Sequence, residues 1–194
     1  MSTLEQCPIP NFTAQSGITF NAFITYKTYG KLNSAKDNAV LLPTAYGGRH
    51  TDTEYFMAER RALDPSRYFI IVPNMFGNGA SSSPSNTEAP YGRGAWPEIT
   101  LYDNVVCQHK LVTEHLGIDT LRLVAGYSMG GMQAYQWGAL YPEMVQAIAP
   151  ICAAAKTSKH NHLMIDGPIS ALTTDPVFND GWYDTVPIKG MLAF

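Results

Sequence analysis

Cysteine is scarce in this chain: Cys7, Cys107 and Cys152 form neither an even disulfide set nor a CxxC or metal-spaced cluster. Disulfide-stapled and zinc-ribbon architectures are thereby excluded. A reducing cytoplasm fits, and each cysteine reads as a small buried apolar residue. Also missing is any apolar run near the ~18 residues of a membrane span. The opening MSTLEQCPIPNF has no positive n-region and no apolar h-region, so no membrane association and no secretion by a standard signal is expected. Charge of one sign is nowhere concentrated: the net charge of −3 comes from scattered residues with no basic block, which argues against a nucleic-acid track. Repeats are absent too. A small-molecule substrate is the default that remains.

What is present is a core. With 194 residues and 45% apolar content the chain can bury one, and a single domain over 1–194 is expected. GITFNAFITYKTYG alternates with period two, placing Ile18, Phe20, Ala22, Ile24 and Tyr26 on one face, as in a half-exposed antiparallel strand. The runs 39–45 (AVLLPTA) and 67–74 (RYFIIVPN) are nearly all apolar, as in strands covered on both faces of a parallel sheet. Between them TEYFMAERRALD predicts a crossover helix. ITLYDNVVCQHKLVTEHLG predicts a longer one, with Thr100 or Asp103 as its cap and Gly117 at its end. LRLVAG, MGGMQAYQWGALYP and VQAIAPIC then read strand, helix, strand, and GNGASSSPSN reads as a loop. Strands alternating with helices imply a parallel α/β sheet with its site at the carboxyl ends of the strands. VQAIAPIC is expected to be the last strand, its outer edge open.

Gly126, Ser128 and Gly130 form G-x-S-x-G. The pattern alone is weak, but here it follows a buried strand and opens a helix, the context of a nucleophile elbow. Glycines allow the sharp turn, and the helix N-terminus supplies free N–H groups where an oxyanion would form. The alternative is a serine N-cap on an ordinary helix. A second oxyanion donor is sought in PTAYGGRH, after the first buried strand: the backbone N–H of Tyr46 would join that of Met129, the alternative being a plain glycine turn.

With these pieces placed, the chain resembles the homoserine O-acetyltransferase family of α/β-hydrolase-fold enzymes. The likeness runs through YKTYGKLNSAKDNAVLL, DPSRYFIIVPNMFGNGASSSPSN, YGRGAWPEITLYDNVVCQHKLVTEHLGI, GYSMGGMQAYQWGALYPE and DPVFNDGWYDTVPIKGMLAF. It implies an α/β-hydrolase fold, a mostly parallel sheet with helices on both faces, here lacking the C-terminal strands and most of the lid. It also implies acyl transfer through a serine ester at Ser128, an acyl-CoA co-substrate, no metal, and a homodimer as one possible state of the longer parent. Two positions depart from the family pattern. TAYGG replaces H-A-L-T-G at the oxyanion turn. Phe194 stands where the acetyltransferases carry an arginine that holds the amino-acid carboxylate, and a phenyl ring cannot form paired hydrogen bonds to a carboxylate. An acceptor other than homoserine is expected, a more apolar alcohol or water.

A serine hydroxyl needs a histidine and an orienting acid, in the order Ser, Asp or Glu, His for this fold. By the resemblance both lie beyond residue 194, so the chain is expected to be the amino-terminal part of such an enzyme. His109 and His115 read as helix-surface residues, His50 as a pocket neighbour, and His160 and His162 as part of a polar loop, with H-x-H too sparse for a metal site. None is assigned as the base. Trp96, Trp137 and Trp182 read as core or lid packing, the methionines as core filler, and Arg49 and Arg93 as loop arginines near the mouth. Three functions stay open: acyl-CoA-dependent O-acyltransferase, carboxylic-ester hydrolase, or an inactive fragment.

Overall fold

Runs with almost no polar residue form the middle of one six-stranded sheet. The computed structural model describes residues 4–193. In chain order the strands are β1 (Glu5–Thr13), β2 (Thr19–Tyr29), β3 (Ala39–Leu41), β4 (Phe69–Pro73), β5 (Leu123–Tyr127) and β6 (Ile148–Ile151). Their spatial order is β1-β2-β4-β3-β5-β6. β3 is parallel to β4 and β5, and β5 to β6, while β2 is antiparallel to both β1 and β4. The mostly parallel α/β sheet read from the sequence is thus found. β3 is short because Pro43 has no N–H to give the ladder, yet Leu42 and Thr44 still donate to Ile71 and Pro73 of β4.

The chain, read above as one domain over 1–194, divides into two compact units: Met1–Ser83 with Pro97–Ala155, and Pro84–Trp96 with Lys156–Phe194. The first holds the sheet. Val40, Leu42, Ile70, Val72 and Ala125 pack with Leu63 on one face, and the alternate residues Leu41, Ile71 and Val124 are equally buried. Helix α1 (Leu101–Lys110) opens on Thr100, whose side chain accepts from the Asp103 N–H while Asp103 returns the bond. It passes through one π-helical turn, Leu111–His115, before Gly117. Helix α2 (Met129–Leu140) follows β5 directly.

β1 was not foreseen: Pro8 and Pro10 disguise it, and they are tolerated because it is an edge strand. Its alternation breaks at a bulge between Ile9 and Phe12, where Asn11 takes a φ of 53°. The predicted crossover helix in TEYFMAERRALD is also corrected, since only the 3-10 segment His50–Phe56 forms. Local side chains compete with an α-helix there. Asp52 accepts from the Arg49 N–H at 2.7 Å, Thr53 donates to the His50 carbonyl, and Glu54 is drawn away to Lys27 and Tyr29. Arg60 then turns to a φ of 65°, and Asp64 takes the N–H groups of Arg60 and Ser66.

In the second unit, helix α3 (Lys159–Thr173) is capped by Ser158, and helix α4 (Ile188–Leu192) follows. His160 and His162 therefore lie on the exposed first turn of a helix, not in the expected loop. Arg93 bonds Asp184 at 2.8 Å and the Tyr183 carbonyl at 2.6 Å, and its guanidinium lies over the Trp182 ring. It is engaged inside this unit. Three burial expectations also fail, because Cys152, Trp182 and the methionines Met164 and Met191 are exposed, whereas Cys7, Cys107 and Trp137 are buried. Phe194 lies outside the described residues.

Candidate active site

Ser128 stands where β5 ends and α2 begins, at the carboxyl edge of the parallel strands. Its φ of 52° and ψ of −122° are sparsely populated by residues with a Cβ, at a cost of order 1–3 kcal/mol. The flanks show why the turn is so tight. A Cβ on Gly126 would overlap the Gly130 backbone, and one on Gly130 would overlap the Pro43 carbonyl oxygen. Ser128 is exposed, its N–H donates to Ile151 at 2.9 Å, and its side chain makes no capping bond to α2.

The N-cap alternative fails on this comparison. Thr100 and Ser158, which do cap helices in this molecule, have extended backbones with ψ of 174° and 158°, and each accepts from an N–H three residues on. Ser128 does neither.

The second expected donor lies after β3. Ala45 to Gly48 is a tight turn, closed by a 3.0 Å bond from the Gly48 N–H to the Ala45 carbonyl, with Gly47 at a φ of 67°. Tyr46 is 83% exposed, and the donor expected of it is its backbone N–H. Among the described residues, neither the Tyr46 N–H nor the Met129 N–H, at the first position of α2, donates to an internal acceptor. Both turns sit against each other through the contact of Gly130 with Pro43 and Thr44. A cavity of about 220 Å³ opens beside them, lined by Pro43, Ala45, Arg49, Tyr55, Phe56 and Tyr127.

No histidine of the sheet unit is hydrogen-bonded to Ser128 among the described residues. His50 sits 3.3 Å from the Asn74 amide through Nδ1, and its backbone N–H donates to the same side chain. Burial lowers its pKa, the Asn74 bond acting the other way. His109 is half-buried, stacked on Tyr141 at 4.0 Å, and its pKa too is lowered by burial. His115 is exposed and pairs with the Tyr26 hydroxyl at 3.1 Å.

Residues 38–189, the stretch that contains this strained serine and its two close-packed glycines, match the alpha/beta hydrolase fold family. The chain belongs to this family. Within it, the chain is 45% identical over 156 residues to the ethyl acetate hydrolase of Pseudomonas veronii, covering 80% of this chain and 45% of that one. It is 39% identical to the homoserine O-acetyltransferase of Trichormus variabilis, covering 95% and 54%. Among solved structures the acetyl esterase MekB superposes with a TM-score of 0.94 at 38% identity, covering 97% of this chain and 56% of that one. The family resemblance read from the sequence is thus found, and it takes in esterases as well as acetyltransferases. The chain spans about half the length of the curated relatives it matches.

Two buried glutamines of this alpha/beta hydrolase were missed by the sequence reading. Gln133 on α2 donates to the Thr44 carbonyl at 3.0 Å and to the Met129 carbonyl at 3.3 Å. It accepts from Gln108 of α1 at 2.6 Å, and Gln108 accepts from the Trp137 indole at 2.9 Å. Only the shared face of Gln133 and Trp137 was legible in sequence. The two are four residues apart in the helix, hence on one face.

Proposed function

We propose that this chain carries the nucleophile and oxyanion turn of a serine-dependent acyl-transfer enzyme, and that its reaction is hydrolysis of short-chain carboxylic esters. The observation that carries the reading is the backbone of Ser128: exposed, uncapped and held at positive φ where a strand turns into a helix. Its hydroxyl would attack the ester carbonyl and lose its proton to a base. The oxyanion so formed accepts from the N–H groups of Met129 and Tyr46, and collapse expels the alcohol to leave an acyl-serine. Water then attacks that ester. None of the five histidines is assigned as the base, which this reading places in sequence outside residues 1–194.

Support for water as acceptor comes from the ethyl acetate hydrolase and acetyl esterase likenesses. Phe194 agrees with it, since homoserine would bring a carboxylate that an aromatic ring leaves unpaired. A second reading, transfer from an acyl-CoA to an alcohol with no metal involved, is favoured by the acetyltransferase likeness over 95% of the chain. Both readings share Ser128. The test is to assay the whole protein on short acetyl esters, and on acetyl-CoA with a panel of alcohols that includes homoserine. A fluorophosphonate probe should label it at Ser128. Labelling and turnover that survive Ser128→Ala would sink the proposal.

A further inference from the structure

We infer that Gln133 is a positioning residue that sets the spacing of the two oxyanion donors, an inference resting on the serine reading above. Trp137 Nε1 can only donate and the Thr44 carbonyl can only accept, so the direction of every bond in the chain Trp137, Gln108, Gln133, Thr44 is chemically determined. Both glutamines and Trp137 are fully buried, and so is Thr44. Gln133 cannot rotate its amide without turning a carbonyl oxygen toward two others.

The two carbonyls it holds are informative. Thr44 lies two residues before Tyr46, at the entrance to the turn closed by Gly48, and Met129 is itself the other donor residue. One amide therefore ties the oxyanion turn after β3 to the first turn of α2. Gly130 brings the same segments into contact through Pro43, so close approach and its fixation come from neighbouring positions on one helix. Oxyanion stabilisation depends on donors being in place before the charge develops, and losing one typically costs about 10²–10³ in kcat. Losing the brace rather than the donor should cost less, about 10- to 100-fold.

The experiment compares the whole protein with its Gln133→Met and Gln133→Glu variants in acetyl-ester hydrolysis, with Ser128→Ala as control and circular dichroism to establish folding. The expected result is a fall of about 10- to 100-fold in kcat with KM within about twofold. The ratio of Gln133→Glu to wild-type activity should rise as pH falls from 8 to 6. A carboxyl buried there titrates high, and its protonated form regains a donor to Thr44. Folded variants with wild-type kcat, a loss confined to KM, or a flat activity ratio would overturn the inference while leaving the nucleophile intact. Activity surviving in Ser128→Ala would instead overturn the serine reading, and this inference with it. If neither Gln133 variant folds, Gln108→Leu decides. It frees the Gln133 amide without removing it, so a lower kcat at unchanged KM supports the brace and a wild-type kcat refutes it.

Discussion

Replacing Ser128 by glycine should make the protein more stable than replacing it by alanine. Both substitutions delete the hydroxyl, but alanine keeps a Cβ at a φ of 52° and ψ of −122°. That conformation costs a residue with a Cβ of order 1–3 kcal/mol. Glycine relieves the strain and gives back about 0.4–1 kcal/mol through the greater freedom of its unfolded chain. The balance favours Ser128→Gly over Ser128→Ala by roughly 0.5–2 kcal/mol. Because the Ser128 side chain makes no capping bond, wild type and Ser128→Ala should lie close together. In urea, with a slope of about 2 kcal/mol/M, the glycine variant's midpoint should move up by ~0.3–1 M while the slope stays constant. Equal midpoints, or a more stable alanine variant, would show that the elbow stores no strain, and the physical case for a built nucleophile turn would fall with it.

Gly130→Ala should destabilise by about 1–3 kcal/mol, seen as a lowered melting temperature, because its methyl would meet the Pro43 carbonyl. Trp137→Phe should cost a similar ~1–3 kcal/mol in urea unfolding, since Gln108 Oε1 would lose its donor while buried. His50 and His109 have folded-state pKa values below their ordinary ones, so the unfolded chain binds more protons as pH drops. Their contribution is full above the ordinary histidine pKa and is lost as pH falls through it toward the folded values. A His50→Asn, His109→Phe double variant should therefore show a flatter dependence of stability between pH 7 and 5. Residues 1–194 alone should escape fluorophosphonate labelling, and stoichiometric labelling of a monodisperse sample would mean that a base exists among them.

The strands of the sheet's middle were legible because burial on both faces leaves an unbroken apolar run, as in FIIV of β4. The elbow was legible because Gly126 and Gly130 answer a steric demand that depends only on neighbours in sequence and one adjacent strand. Elements governed by competition were harder. The segment 50–64 has helix-like composition, and its fate turns on where its carboxylates find donors: Asp52 and Asp64 find them locally, and Glu54 finds Lys27 and Tyr29 on β2. Gln133 was hidden for a related reason, since its partners Thr44 and Gln108 are 89 and 25 residues away. Cys152 was misplaced because a residue type usually buried follows the edge strand β6, where no further strand covers it among the described residues.

The residue pairs Val40 with Leu123 and Leu41 with Val124 make β3 and β5 immediate neighbours, although more than 80 residues separate them in sequence. Two segments leaving adjacent parallel strands begin about 4.8 Å apart, whatever side chains they carry. The Tyr46 and Met129 segments thus start from adjacent strands before either loop contributes, and the Gln133 brace has only a short distance left to fix. Amino-acid drift at positions 45 and 46 can then reshape the rim without widening that distance. Relatives can be sought by tolerating variation at positions 45 and 46, while requiring glycine at positions 47, 126 and 130.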